Sequence, residues 1–255
     1  MGKVIIQSEY TTKNPITMIG TEAGICWGAD TSDAKKNYKR GLRILFDADD
    51  VAETLLEGWV KVLNERYGTT TSVEDVTDWD VSLAFPTLTK QQIYGVLQED
   101  EVWANLTPMP GAQEYLKRLR DEGHELYMVT ATDYRTCRVK IERILELFPF
   151  LDANHIIIAH NKQMVMGDVL IDDGPHNLVN GPYFRILFDA PHNRGFDEKK
   201  YGMYRAIGWG QVYQLIHENL VFLSQATPDR TFPVKEVEHY GRHQKRWPRG
   251  QLRQI

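Results

Sequence analysis

The feature of this sequence that most restricts its fold is a series of short apolar runs, each ending in polar or charged residues. Helical patterns separate several of these runs, for example at 111–122 and 136–148. Apolar strands that alternate with helices are typical of a parallel sheet covered on both faces. The sequence therefore predicts an α/β fold with a Rossmann-like parallel sheet flanked by helices. The runs are 42–46, 125–129, 155–159, 168–171 and 185–188.

The residues that follow these runs are the candidates for a functional site. In an open parallel sheet, ligands bind outside the carboxyl ends of the strands. Six polar side chains at or just beyond those ends are therefore expected to converge on one rim, although they are far apart along the chain. They are Asp47, Asp49, Thr130, Lys162, Asp172 and Asp173.

Clustered carboxylates after a buried strand require a positive partner, because like charges repel and unpaired buried charge is costly. A phosphate monoester hydrolase uses such a set. Asp47 would attack phosphorus, and Asp49 would protonate the leaving oxygen and later activate water. The phosphate would be held by Thr130 and Lys162. The metal site would be completed by Asp172 and Asp173, with Mg²⁺ as the expected cofactor.

Each of these residues also has a simpler interpretation when taken alone. Asp47 and Asp49 could cap a helix, and Thr130 could be a strand-end hydroxyl. Lys162 could be a solvated surface lysine, and the acidic pair before Gly174 could form a turn. Their common order, each at a predicted strand end, favours the phosphatase interpretation over these alternatives.

The segment 52–107 interrupts the alternation of strands and helices directly after the first strand. It contains amphipathic helical pieces and many aromatic residues, which predicts a small helical cap over the rim. Trp59 and Trp103 are expected to pack inside the cap. Trp79 and Phe85 lie in a loop, and their rings are candidates for stacking on a nucleobase.

Several stretches resemble the haloacid-dehalogenase-like phosphatases, and more closely their bacterial and phage 5'(3')-deoxyribonucleotidase branch. The resemblance covers roughly 42–217. Its motifs are FDADD after the first strand, VTAT, NK and GDVLIDD, with TDWDVSLAFPTLTKQQIY in the cap and DAPHNRGFD near the end. The wider family often has Gly at the position of Asp50.

The resemblance implies roles for individual residues. Asp47 is the nucleophile and a metal ligand, and Asp49 is the acid/base and a backbone metal ligand. One of Asp172 and Asp173 binds Mg²⁺, with Asp173 favoured. The phosphate binders are Thr130, Ala131 and Lys162, and further substrate contacts are expected from Thr132 and Asp133. His176, His192 and Asn193 resemble fixed features of the branch, and the two histidines are expected to be structural loop residues rather than metal ligands.

The two ends of the chain differ from the central domain at 42–217. Residues 1–41 resemble the opening segment of flavin-dependent thymidylate synthases, but the R-H-R-x-x-S motif of that family is missing, so no flavin chemistry is expected. Residues 218–255 form a basic extension that ends in GRHQKRWPRGQLRQI. A short charged end of this kind is expected to be a poorly ordered terminus rather than a nucleic-acid-binding tail.

Composition limits the remaining classes of function. The net charge of −5 does not indicate a basic surface for binding nucleic acid. No stretch approaches the roughly 20 apolar residues of a membrane span. Two cysteines without metal-type spacing and the missing signal-peptide pattern predict a cytoplasmic protein. The expected function is a Mg²⁺-dependent 5'-nucleotidase acting on a small nucleotide substrate through an aspartyl-phosphate intermediate. A phosphatase for another small phosphomonoester, an idle nucleotide-binding module and a homodimer stay open.

Overall fold

A computed structural model describes residues 41–220 and 223, together with the backbone of two short strands near the amino terminus. These strands, Ile19–Thr21 (β1) and Gly24–Cys26 (β2), pair antiparallel to each other. Most of the two predicted extensions, 1–41 and 218–255, lies outside the described residues.

The central element is a six-stranded parallel sheet with the strand order β5-β4-β3-β6-β7-β8. Within this sheet, the first strand along the chain is β3, in the middle. β4 and β5 follow on one side of it, and β6, β7 and β8 follow on the other side. The sheet therefore has its switch point beside β3, where a ligand crevice is expected. Its strands are Arg43–Phe46 (β3), Glu125–Thr130 (β4), Ile156–Ile158 (β5), Val169–Asp172 (β6), Phe184–Phe188 (β7) and Tyr204–Ala206 (β8).

Helices occupy several of the connections between the strands, and one helix follows β8. Three of them lie between β3 and the helix that leads into β4, and these three form the predicted helical insertion. They are Leu55–Tyr67 (α1), Lys90–Gly95 (α2) and Asp100–Ala104 (α3). The others are Ala112–Asp121 (α4), Cys137–Leu147 (α5), Pro175–Leu178 (α6) and Trp209–Glu218 (α7). Short 3₁₀ turns include Val73–Asp75, Val81–Ala84, Lys162–Met164 and Pro191–Asn193.

Local sequence signals explain where the insertion's helices begin and end. Gly68 ends α1 in the left-handed conformation (φ 67°), and its N–H donates to the carbonyl of Asn64. Glycine adopts this conformation without the steric cost of a Cβ atom. At the start of α2, Thr89 and Gln92 form a capping box that satisfies free backbone N–H groups.

The register of the sheet brings the predicted site residues together. Phe46 of β3 lies opposite Met128 of β4 and Ile171 of β6. The N–H of Asp47 continues this ladder by donating to the carbonyl of Ile171 at 2.9 Å. The ends of β3, β4 and β6 consequently meet at one rim, which explains why residues distant in sequence converge.

The C-terminal helix fixes the segment that follows β3. Trp209 in α7 is almost fully buried, and its indole N–H donates to the carbonyl of Val51 at 2.8 Å. Its ring also packs edge-on against Phe46, with 6.1 Å between the ring centroids. Because the helix holds both the strand and the loop beyond it, Asp47 and Asp49 are carried by a rigid backbone.

The predicted α/β architecture is confirmed, including the helical insertion after the first catalytic strand. Strand β8 was not predicted, because its three residues have no long apolar run. The limits proposed for the cap, about 52 and 107, stay predictions.

Candidate active site

Four buried residues lie together at the rim, and we call them the nucleophile cluster after the role predicted for Asp47. They are Asp47, Lys162, Asp172 and Asp173. The Lys162 ammonium lies 2.6 Å from Asp47 Oδ2 and 2.7 Å from Asp172 Oδ2. The other oxygen of Asp47 accepts a hydrogen bond from the N–H of Ala48 at 2.7 Å. Asp47, Asp172 and Asp173 each place one carboxylate oxygen within 4.8 Å of the other two.

This cluster contains more negative than positive charge. Burial raises the pKa of Asp47 well above its ordinary value, although the Lys162 charge opposes this, and burial also raises the pKa of Asp172. Burial alone would lower the pKa of Lys162, but Asp172 and Asp47 raise it, so the lysine stays charged. One ammonium therefore faces three carboxylates, and a further cation would stabilise the group.

The two neighbouring aspartates have different surroundings. Asp172 Oδ1 accepts hydrogen bonds from the N–H of Gly174 and the side chain of Asn177, both at 2.9 Å, while Oδ2 faces Lys162. Asp173 Oδ2 lies 2.9 Å from His192 Nε2. Among the described residues no hydrogen bond to the other oxygen of Asp173 is present. Asp173 is thus the less engaged of the two carboxylates.

The donor chemistry of the nucleophile cluster fits Mg²⁺. This ion is bound by a small number of oxygen ligands, commonly one or two carboxylates. The three buried aspartates supply such oxygens, together with an excess of negative charge. His192 Nε2 is directed at Asp173, and the structural role expected for the histidines stays a prediction.

A second cluster lies next to the first, and we call it the acid/base cluster after the role predicted for Asp49. It contains Asp49, Lys140, Thr130 and Glu53. The ammonium of Lys140 lies 2.6 and 2.7 Å from the two oxygens of Asp49, and it donates to Thr130 Oγ1 at 2.9 Å. It also contacts the carbonyl of Ala131 at 3.3 Å. Lys140 therefore joins the second carboxylate of the D-x-D motif to the end of β4.

The acid/base cluster has a different charge balance. Burial raises the pKa of Asp49, but the Lys140 charge, assisted by hydrogen bonds to Glu53 and Lys140, lowers it below its ordinary value. Glu53 is fully buried, and burial together with the charge of Asp49 raises its pKa well above its ordinary value. One ammonium thus faces two carboxyl groups, one with a lowered pKa and one with a raised pKa.

Sequence analysis missed Lys140, although α5 contains the signal for it. The buried face of this helix comprises Lys140, Ile144 and Leu147, at positions i, i+4 and i+7. A lysine in an apolar stripe is unusual, because its charge requires a buried partner. The ammonium also lies 4.6 Å from the ring of Trp103 in the cap.

The predicted phosphate-binding residues lie at this rim, and the residues that follow them form the adjoining loop. Thr130 is fully buried, and Lys162 is nearly so. Thr132 and Asp133 are partly exposed, and Asp133 forms an ion pair with Arg135 at 2.8 Å. Asp133 is therefore already paired with a neighbouring cation in this structure.

The cap aromatics divide into two groups. Trp59 and Trp103 are buried inside the cap, as expected. Trp79 is 47% exposed, and its ring contacts His176 and His192 edge-on, at centroid distances of 4.7 and 5.1 Å. Trp79 consequently lies beside the nucleophile cluster.

Phe85 differs from the prediction that its ring is available for stacking. It is only 1% exposed and belongs to the main hydrophobic core. The 3₁₀ turn Val81–Ala84 ends directly before it and directs the ring inward. The burial of this apolar ring outweighs its position in a polar loop, so Trp79 is the only one of the two predicted stacking residues with an exposed ring.

Comparison with known proteins identifies the family. Residues 40–222 match the family described as "5' nucleotidase, deoxy (Pyrimidine), cytosolic type C protein". The chain belongs to this family. The match includes the whole six-stranded sheet and both clusters, and it confirms the resemblance found in the sequence.

Curated relatives agree with this assignment. The chain is 38% identical to a 5'(3')-deoxyribonucleotidase of Clostridium acetobutylicum over 148 residues, 58% of this chain and 82% of the relative. It is 33% identical to a 5'(3')-deoxyribonucleotidase of Bacillus subtilis over 171 residues, 66% of this chain and 95% of the relative.

A solved structure supports the fold. A haloacid dehalogenase-like family hydrolase from Streptococcus pneumoniae is similar with a TM-score of 0.50 at 15% identity, covering 69% of this chain and 98% of the other. Within the described part of the chain, no helix combines the length and apolar character needed to cross a membrane.

Proposed function

We propose that this member of the nucleotidase family is a Mg²⁺-dependent phosphoric monoester hydrolase that releases phosphate from deoxyribonucleoside monophosphates. The observation that carries the proposal is the position of Asp47. Its carboxylate lies at the carboxyl end of the central strand, 2.6 Å from Lys162 and within a cluster of three aspartates. The residues that we propose as nucleophile, phosphate-binding cation and metal ligands therefore lie close together.

In the first half of the reaction, Asp47 attacks phosphorus and forms a new P–O bond while the bond to the nucleoside oxygen breaks. Asp49 supplies a proton to that leaving oxygen. The phosphate of the substrate is negatively charged, and its approach raises the pKa of Asp49, which favours the protonated form that this step requires.

In the second half, water attacks the phosphorus of the aspartyl phosphate. Asp49 removes a proton from this water, and free phosphate leaves with the Asp47 carboxylate restored. Lys140 is suited to this step because its charge lowers the pKa of Asp49, which favours the ionised form that accepts this proton. The same carboxylate thus serves as acid and then as base.

The phosphate oxygens would be bound by Lys162, Thr130 and the backbone N–H of Ala131. Lys140 donates to Thr130 Oγ1, so the hydrogen of the threonine hydroxyl can be donated to a phosphate oxygen. The metal ion would be held by the carboxylates of Asp47 and Asp173 and by the backbone carbonyl of Asp49. When bound, it would neutralise charge on the phosphate oxygens.

The nucleobase would stack on Trp79, whose ring is partly exposed next to the nucleophile cluster. Stacking on an aromatic side chain contributes about 1–3 kcal/mol per base and tolerates different bases. Trp79→Ala should therefore raise KM for deoxynucleotides by roughly 5- to 150-fold. Deoxyribose 5-phosphate, which has no base, is the control substrate whose KM should change little.

The test of the function is phosphate release from deoxyribonucleotides, ribonucleotides and sugar phosphates, with Mg²⁺ and with EDTA. We expect metal-dependent release chiefly from deoxynucleotides. Release chiefly from sugar phosphates would agree with the proposed mechanism but contradict the proposed class of substrate. Binding of nucleotides without any release of phosphate would contradict the proposed enzymatic activity and favour a nucleotide-binding module.

A further inference from the structure

His192 joins the nucleophile cluster to the cap. It lies in the 3₁₀ turn Pro191–Asn193 beyond β7, and its side chain is only 7% exposed. One edge of its ring contacts Asp173, with 2.9 Å between Nε2 and Oδ2. The ring also packs edge-on against Trp79 of the cap, at a centroid distance of 5.1 Å. The imidazole therefore touches both a proposed metal ligand and the cap loop.

The backbone on both sides of this contact is firmly held. The side-chain amide of Asn193 donates to the carbonyls of Asp173 and Phe188, at 2.8 and 2.7 Å. Arg205 donates to the amide oxygen of Asn193 at 2.8 Å. Because these bonds fix the turn relative to the end of β6, His192 is presented to Asp173 in a defined position.

The same turn is connected to the cap at a second point. Arg194, directly after the turn, pairs with Glu74 in the cap turn Val73–Asp75 and with Asp189 at the end of β7, the latter at 3.1 Å. Both cap contacts, through Trp79 and Glu74, therefore reach the segment that carries His192.

We propose that His192 is a positioning residue that holds one oxygen of Asp173 so that the other faces the metal ion, and that Trp79 keeps the imidazole in this orientation. The inference rests on the proposed function and deepens it. A carboxylate that rotates freely must lose that freedom when it binds a metal. Loss of an outer residue that orients a ligand typically costs about 10- to 100-fold in metal affinity.

The contact has a consequence for the cap. Because Trp79 supports the imidazole that holds Asp173, the position of the cap loop and the metal affinity are linked. Linkage of binding free energies is reciprocal, so a cap loop that is held in place favours metal binding, and bound metal favours that position of the loop.

The test is the dissociation constant of Mg²⁺ or Mn²⁺, measured by titration calorimetry on the full chain without substrate. His192→Phe keeps a ring for Trp79 and removes the polar contact, so metal binding should weaken by about 10- to 100-fold. His192→Gln keeps an N–H group near the position of Nε2 and should bind within about 3-fold of the unchanged protein. Wild-type affinity in the phenylalanine variant would overturn the proposal.

A second pair of variants tests the cap contact and does not depend on whether His192→Phe folds. Trp79→Leu should weaken metal binding in the same direction. Leu83→Ala changes an exposed apolar residue of the same cap segment, 66% exposed, and should leave the affinity unchanged. Equal affinities for the two cap variants would contradict the role of Trp79.

Failure of this inference can be separated from failure of the proposed function. If the unchanged protein binds the ion and hydrolyses nucleotides while the His192 variants bind equally well, only the positioning role is wrong. If the unchanged protein binds no divalent ion, both proposals are wrong. Asp173→Asn is the positive control, because it removes charge from the proposed ligand itself and should abolish tight binding.

Discussion

The nucleophile cluster and the acid/base cluster lie side by side at the same rim, and each contains one buried lysine. In the first, Lys162 is shared between Asp47 and Asp172, with Asp173 close by. In the second, Lys140 faces Asp49, and the neighbouring Glu53 is buried with a strongly raised pKa. The two carboxylates of one D-x-D motif thus experience opposite pKa shifts, upward for Asp47 and downward for Asp49.

The two clusters differ in the number of carboxyl groups per lysine, three beside Lys162 and two beside Lys140. With the larger excess of carboxyl groups, the nucleophile cluster is the one that a metal ion would stabilise. The comparison therefore predicts that Mg²⁺ acts on the nucleophile cluster and leaves the other nearly unaffected.

The largest effect is expected from Asp47→Asn. Loss of the nucleophile should lower kcat by on the order of 10⁴-fold or more, because the covalent step has no substitute. The variant should keep its fold, since an amide oxygen can still accept the hydrogen bond from Ala48. Phosphate release and circular dichroism measure both properties, and a folded variant with full activity would contradict the proposed mechanism.

The next largest effect is expected from Lys162→Met and Lys140→Met, a pair of variants that compares the two lysines directly. Removing one partner of a buried ion pair typically destabilises a protein by about 3–5 kcal/mol, so both variants should lose stability without metal. Mg²⁺ should restore much of the loss in the Lys162 variant, because the ion can replace the missing charge at the same carboxylates. It should restore little in the Lys140 variant. Urea unfolding with Mg²⁺ and with EDTA measures these stabilities. Equal restoration in both variants would contradict the predicted difference between the two clusters.

A smaller effect is expected from metal removal in the unchanged protein. An ion that binds only the folded state adds about 2.7 kcal/mol to the free energy of unfolding at a concentration 100 times its Kd. Thermal unfolding in Mg²⁺ and in EDTA should show this difference. Asp173→Asn should lose most of it, whereas Glu142→Gln, in an exposed helical ion pair with Arg138, should keep it.

The smallest effect is a pH dependence that arises away from both clusters. Burial lowers the pKa of His124, whose Nδ1 accepts a hydrogen bond from the N–H of Leu42 at 3.1 Å. The unfolded chain then binds a proton more readily than the folded one, so stability falls as pH drops below about 6.5, the ordinary histidine value. His124→Asn retains an acceptor that does not titrate in this range and should flatten the dependence in urea unfolding between pH 5 and 7.5. If the variant shows the same dependence of stability on pH, other titrating groups cause that dependence.

Much of the fold could be predicted because its signals are local. Five apolar runs are strands of the parallel sheet, and the helix predicted at 111–122 is observed at Ala112–Asp121. The exception is β8, whose three residues become a strand by pairing with β7. A strand this short is defined by its neighbour, because its own sequence contains no alternating or apolar pattern.

The candidate site was predicted less completely. The residues at strand ends were found because a parallel sheet places those ends together. Lys140 was missed because it lies in the middle of a helix, where charge usually faces solvent. Phe85 was assigned to a binding surface because it lies in a loop, but its aromatic ring is buried in the core.

The sequence by itself determined the alternation of strands and helices, the helical insertion after β3 and the order of the motif residues. These properties depend on the periodicity of apolar residues and on short motifs, both of which act over a few positions. Only the tertiary structure decided which lysine faces which carboxylate, and which of the two neighbouring aspartates keeps a less engaged oxygen. Those outcomes depend on contacts between groups far apart in sequence, such as Lys162 with Asp172, 10 positions apart, and Lys140 with Asp49, 91 positions apart, and packing alone sets them.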